Sequence, residues 1–286
     1  MTPEKFAELK KQSFTHIPLV REVLADLDTP LSTFLKLANK PYSYLFESVQ
    51  GGEKWGRYSI IGLPCRTRIK VVGQTISIEQ NENLVETLEV ENPLQWIEDY
   101  QQQFKVAELD GLPKFTGGLV GYFGYETIRY IEPRLQKSDK PDDLNTPDIL
   151  LMLSEEVVVF DNLAGKLYVV VHADPTAGDS LRSAEQRLDK LVRQLRDGRS
   201  VYPVANKTHQ VREEDFVSGF TQEGYESAVG KIKDYIVEGD VMQVVLSQRM
   251  SVPYHAAPLD LYRALRSLNP SPYMYYMDLK DFHVVG

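Results

Sequence analysis

A single cysteine, Cys65, stands in 286 residues. One thiol closes no internal disulfide and builds no cysteine-based metal cluster, which fits a reducing compartment and a cytoplasmic protein. No apolar run approaches the ~18 residues of a membrane span, so no membrane partner is expected. The opening residues, MTPEKFAELKKQ, are charged and lack the apolar core of a secretory signal. Basic side chains are the minority: 32 Lys and Arg against 41 Asp and Glu give a formal net charge of -9. That balance argues against nucleic acid or another polyanion as partner. The phosphate loop G-x-x-x-x-G-K-[ST], the zinc motif H-E-x-x-H and the nucleophile elbow G-x-S-x-G are all missing. What remains, 26% charged and 42% hydrophobic, is an ordinary globular composition with room for one large or two modest domains.

The local patterns predict mixed helix and strand. Thr29-Pro30 reads as a helix start, with Thr29 as N-cap and Pro30 in the first turn. Tyr42–Val49 is strand-like, and Arg66–Val72 with Thr75–Glu79 flank Gly73-Gln74 as a hairpin. Asn92-Pro93 opens a helix with Trp96, Ile97, Tyr100 and Phe104 on one stripe. Asp148–Phe160 and Lys166–His172 are strand-rich and joined by a turn at 161–165. A helix comes next, with Leu181, Ala184, Leu188, Leu191 and Leu195 in phase and Gly198 placed to end it.

Polar Arg199–Glu214 is the best linker, so residues 13–198 are expected as one domain, 199–214 as linker and 215–286 as the start of a second. Beyond it, Tyr225, Val229, Ile232 and Ile236 form a helix stripe closed by Gly239. A strand is expected from Asp240, with Met242, Val244, Leu246 and Met250 on one face. Pro258 opens a helix carrying Leu261, Tyr262, Leu265 and Leu268, and Tyr273–Leu279 with Phe282–Val285 read as a hairpin. His283-Val284-Val285-Gly286 stop inside an apolar run, so the expectation is a truncated chain whose second domain is only begun.

Four segments carry candidate chemistry. The polar row Gln243, Ser247 and Arg249 on the strand after Gly239 is either a hydrogen-bonded network or one wall of a polar pocket. The two prolines around Ser271, in Asn269-Pro270-Ser271-Pro272-Tyr273-Met274, give a rigid extended approach to a strand and can present backbone groups to a small ligand. Glu47-Ser48 reads alone as a polar strand end. The glycine-rich stretch Gly117–Gly124 is not G-x-G-x-x-G, and close packing of its backbone on a neighbouring sheet explains it best.

Taken together the segments resemble one family. Leu45-Phe46-Glu47-Ser48 is similar to the L-L-E-S motif of anthranilate synthase component I, with Phe46 a mild departure, and Lys54 and Arg57-Tyr58-Ser59-Ile60-Ile61-Gly62 come after it as in that family. Gly118–Glu126 resembles its G-x-x-G-Y-x-x-Y-[DE] segment, Gly239–Arg249 its G-D-[IV]-x-Q-V-V-x-S-[QR]-R segment, and Asn269–Met274 its N-P-S-P-Y-M. The resemblance implies an α+β fold of antiparallel sheets with outer helices, C-terminally truncated here. It implies a lyase of tryptophan biosynthesis that makes anthranilate and pyruvate from chorismate and ammonia. The ammonia comes from glutamine through a partner amidotransferase subunit, anthranilate synthase component II.

The resemblance further implies feedback inhibition by L-tryptophan, with contacts carried over onto Ser48, Pro272, Tyr273 and Met274. It implies Mg2+ as cofactor, its glutamate ligands, the catalytic histidine and the P-I-A-G-T-R-P segment lying beyond residue 286. No catalytic or metal residue is therefore expected in the chain as given; Gln243 is a possible pocket residue. Relatives that add water carry a lysine at that position as general base. An amide has no such role, and ammonia needs none. The alternatives are aminodeoxychorismate synthase component I, and a non-catalytic tryptophan-binding module.

Overall fold

The computed structural model describes residues 1–48, 56–135, 142–198, 202 and 210–286. The chain divides into two compact units, Met1–Pro203 with Leu261–Gly286, and Val204–Asp260. The linker Arg199–Glu214 lies mostly outside the described residues, as does Lys54.

The first unit runs α1 (Pro3–Lys10), β1 (Ile17–Leu24), α2 (Pro30–Leu37), β2 (Ser43–Glu47), β3 (Tyr58–Gly62), β4 (Thr67–Val72), β5 (Thr75–Gln80) and β6 (Asn83–Glu89). It continues with α3 (Pro93–Gln102), β7 (Gly118–Phe123), β8 (Ile149–Ser154), β9 (Glu156–Asp161), β10 (Lys166–Ala173) and α4 (Ser180–Asp197). The second unit holds β11 (Val217–Ser218), α5 (Gln222–Glu238) and β12 (Met250–Ser251). The chain then passes through α6 (Pro258–Leu268) to β13 (Met274–Asp278) and β14 (His283–Val285) of the first unit.

Helix starts obey the capping chemistry. The Thr29 hydroxyl accepts from Ser32 N, the Ser32 side chain accepts from Thr29 N, and Pro30 occupies the first turn. Asn92 caps α3 by accepting from Leu94 N and Gln95 N.

Among the described residues the strands of the first unit form two antiparallel sheets, ordered β1-β10-β9-β3-β2-β13-β14 and β6-β5-β4-β8-β7. The chain changes sheet at Glu155, between β8 and β9. Strand alternation divides the β8 side chains. Leu150 and Met152 join Tyr42, Tyr44, Met277 and Leu279 between the sheets, while Ile149 and Leu151 join Ile69, Val71, Ile76 and Ile97 of α3. The helices α2 and α4 cover the other face of the larger sheet, α4 burying Ala184, Leu188, Leu191 and Leu195. The result is helix, sheet, sheet, helix: the α+β arrangement expected, with helices outside.

Two expectations change. The hairpin at 273–285 extends the larger sheet of the first unit by pairing β13 with β2, so residues 261–286 pack with residues 1–203. Pairing partners so far apart leave no trace in local periodicity. The strand expected from Asp240 is in a ladder only at Met250–Ser251, which pairs with Val217–Ser218. An alternating pattern makes a strand only where another strand offers its backbone, and in the second unit only those two residues do so among the described ones.

The sheet interface needs one bare backbone. Tyr44 and Gly62 are ladder partners, and the Tyr44 ring lies over Gly62, where an added Cβ would be 1.9 Å from Tyr44 Cε1. The ring is held there by a 2.9 Å hydrogen bond between Tyr44 Oη and Ser154 Oγ, which links the two sheets. Gly62→Ala should therefore expel the ring and leave a buried hydroxyl unpaired, lowering stability by about 3 kcal/mol in chemical denaturation. Retention of wild-type stability would contradict this packing.

A second constraint surrounds the change of sheet. The His172 amide donates to the Glu155 carbonyl at 3.0 Å, and His172 Nε2–H donates to the Thr116 carbonyl at 2.9 Å. His16 Nε2 approaches Glu155 Oε1 at 3.6 Å, with the two imidazoles 5.9 Å apart. Burial, then the charge of His16, lowers the His172 pKa to about 4. Between that value and the ordinary 6.5 the unfolded chain binds a proton that the folded chain refuses, so stability falls as pH drops through this window. Denaturation at pH 7 and pH 4 should show about 3 kcal/mol of acid destabilisation that His172→Gln, which keeps a donor but does not titrate, removes. Equal pH dependence in the two proteins would exclude His172 as its source.

Candidate functional site

The site begins with a register. In the antiparallel pair β2–β13, Glu47 lies opposite Met274, Phe46 opposite Tyr275 and Leu45 opposite Tyr276. Alternation assigns Leu45, Glu47, Met274 and Tyr276 to the helix-covered face and Phe46, Tyr275, Tyr44 and Met277 to the face turned toward the smaller sheet. One residue further, the backbones still touch through a side chain: Ser48 Oγ donates to the Pro272 carbonyl at 2.7 Å.

Above this junction the interface between the sheets is not filled. A cavity of about 820 Å3 opens there, bounded by residues that include Phe46, Glu47, Ser48, Arg57, Tyr58, Ile60, Tyr122, Tyr273, Met274 and Met277. Its walls are mainly apolar and aromatic with few polar groups, the usual character of a small-molecule site. Several of the polar groups already have partners. Arg57 forks onto Asp161 through Nε at 3.1 Å and Nη2 at 2.7 Å, and its guanidinium also lies 4.9 Å from the Tyr58 ring centre. The arginine, with two backbone amides, holds the Asp161 carboxyl below its ordinary pKa despite burial. Arg57 is still about 43% exposed, so its remaining N–H groups are within reach of an anion. Tyr122 donates to the Pro147 carbonyl at 2.6 Å, and burial pushes its phenol up to about 12.

The geometry thus brings Ser48, Pro272, Tyr273 and Met274 to one place, although the chain separates Ser48 from Pro272 by 224 positions. Gln243 is exposed in the second unit. Sequence reasoning missed Phe46, Arg57, Tyr58, Tyr122 and Met277 as walls of the cavity. A signal existed for four of them: they stand inside the segments Leu45–Ser48, Arg57–Gly62 and Gly118–Glu126 already singled out. Gly121, beside Tyr122, explains the glycine-rich stretch: an added Cβ would be 1.9 Å from the Leu150 carbonyl oxygen, so β7 can approach β8 only without a side chain there.

No group of three or more His, Cys, Asp or Glu among the described residues could hold a metal ion. These residues therefore do not fit a Mg2+ site, and no step through a metal is assigned to them. No described helix is long and apolar enough to cross a membrane.

Comparison with known proteins agrees with the motifs. The chain is 52% identical over 292 aligned residues to anthranilate synthase component 1 of Pseudomonas putida, covering 100% of this chain and 58% of that protein. It is 51% identical over 289 residues to the protein of the same name from Neisseria meningitidis serogroup B, with the same coverage. The crystal structure of anthranilate synthase component I from Streptococcus pneumoniae TIGR4 superposes with a TM-score of 0.62 at 26% identity, covering 92% of this chain and 56% of that one. The chain thus spans little more than half the length of the curated relatives it matches. The model of the chorismate binding enzyme family matches residues 47–286, from the glutamate beside Ser48 to the last residue, and the chain belongs to that family.

Proposed function

We propose that this chain is the N-terminal part of an anthranilate synthase component I, and that its cavity is the site where L-tryptophan inhibits the enzyme. The whole enzyme converts chorismate and ammonia to anthranilate and pyruvate in the cytoplasm. Its ammonia comes from glutamine through a component II amidotransferase. Mg2+ and the catalytic groups belong to the part of the relatives that residues 1–286 do not cover, so this chain alone is inactive.

The observation that carries the regulatory half of the reading is the 2.7 Å hydrogen bond between Ser48 and the Pro272 carbonyl at the rim of the 820 Å3 cavity. An aromatic amino acid matches that cavity. The indole packs among Phe46, Tyr122 and Met277, the carboxylate takes the remaining donors of Arg57, and the ammonium takes carbonyls of the Pro272–Tyr273 stretch. Ligand bound there ties β2 to the segment entering β13. Inhibition results if that tied arrangement is less populated in the active enzyme.

Titration calorimetry of the full-length protein should show saturable L-tryptophan binding that Ser48→Phe weakens by about tenfold or more, or about 1.4 kcal/mol. The phenyl ring both removes the hydroxyl and fills the rim. An unchanged isotherm in Ser48→Phe would contradict the assignment of the cavity. Product analysis of the same protein with chorismate and ammonia should give an ortho amine; a para amine would identify it instead as an aminodeoxychorismate synthase.

A further inference from the structure

The cavity is set by a second, hidden junction on the opposite face of the same strand. Glu47, the residue before Ser48, has a side chain only 2% exposed. A carboxylate in that position is costly unless its oxygens are fully engaged. They are: Glu47 Oε2 accepts from Tyr262 Oη at 2.6 Å and Arg266 Nε at 3.0 Å, and Oε1 accepts from Arg266 Nη2 at 3.2 Å. Both donors come from α6, four residues apart and so on one helical face.

Tyr262 is fully buried and cannot swing away. Burial, and then the neighbouring carboxylate, push its phenol far up, which keeps the proton on the donor. Its ring leans on Tyr276 at 6.0 Å, and Tyr276 meets Phe34 of α2 edge-on at 5.6 Å. Glu47 is buried while the Arg266 side chain is about 41% exposed, and a desolvated carboxylate gains little net stability from such a pairing, so three directed bonds at this point chiefly specify a position.

The position of α6 governs the rim of the cavity. After α6 ends at Leu268, only Asn269-Pro270-Ser271-Pro272-Tyr273 separate it from β13. Two prolines make that connection stiff. Where Glu47 holds α6 therefore determines where the Pro272 carbonyl lies, and Ser48 meets that carbonyl. Neighbouring residues on opposite sheet faces thus grip the two ends of one rigid segment.

Building on the proposed tryptophan reading, we infer that Arg266 and Tyr262 are positioning residues for the ligand cavity, acting through Glu47 on the register of α6 and the Pro272–Met274 rim. Neither side chain touches the ligand. Neither belongs to the cavity lining, so their removal loosens the rim through Glu47 without replacing any side chain of the wall.

The test is L-tryptophan calorimetry on the full-length enzyme. Arg266→Gln should weaken binding about tenfold, Tyr262→Phe about threefold, and Arg266→Lys, which keeps the charge but loses the two-nitrogen fork, should recover only part of the affinity. Tyr262→Phe keeps the buried ring and serves if Arg266→Gln does not fold. In a double-mutant cycle, Ser48→Ala should add less than about twofold to the loss in Tyr262→Phe or Arg266→Gln beyond that variant's own, because both changes break the same rim. Wild-type affinity in both variants, or losses that multiply independently, would overturn the inference while leaving the tryptophan site intact. Absence of binding to the wild type would instead overturn the tryptophan reading on which the inference rests.

Discussion

The ladder between β2 and β13 is the constraint from which the site arises. Five rungs, from Met274 opposite Glu47 to Asp278 opposite Ser43, join strands that are more than two hundred residues apart in the chain. Because side chains alternate, this register alone decides what each face receives. It turns Phe46 and Met277 toward the cavity and Glu47 toward α6. A slip of one residue would place the carboxylate among aromatic walls and the phenylalanine against Arg266. The ion pair and the cavity are therefore two consequences of one register, and each penalises its loss.

Much of the fold was legible in local sequence because its signals are local. Thr29, Pro30 and Asn92 cap helices where expected, Gly73-Gln74 turns the β4–β5 hairpin, and the leucine stripe of α4 faces the sheet. The failures share one cause. Nothing local tells that Asp148–Phe160 breaks at Glu155 to serve two sheets, or that β13 finds β2 rather than a neighbour in sequence. The Asp240–Arg249 stretch shows the converse: its alternation is strong, yet it stays outside the short β11–β12 ladder, meeting it where the Arg249 carbonyl accepts from Gly219 N at 3.0 Å. The predicted α6 stripe was half legible. Tyr262 is buried, while Leu261 and Leu268 are exposed; the buried face carries Leu259 and Tyr262, three residues apart, with the Tyr262 hydroxyl on Glu47.

The site was legible as motifs and not as geometry. Ser48 and Pro272–Met274 stood out through family resemblance, and only the fold explains why such distant segments belong together. Arg57 and Tyr122 were visible as motif letters, but their place in the wall depends on the approach of β7 to β8 permitted by Gly121. Buried charges reinforce the same frame. Arg68, 2% exposed, pairs with Glu79 at 3.1 Å and stacks 3.9 Å from the Tyr42 ring centre, which anchors the start of β2 to the smaller sheet. Polar contacts in this unit thus fix where strands begin and end, and apolar layers fill the space between.

The most direct measurement is the electron density of the full-length protein crystallised with L-tryptophan. The account predicts β2 and β13 as neighbours in the Glu47–Met274 register, with an indole ring between Phe46 and Met277 and the amino-acid group beside Ser48 and Pro272. Ligand density elsewhere with this cavity vacant, or a sheet in which β2 and β13 are not adjacent, would contradict it.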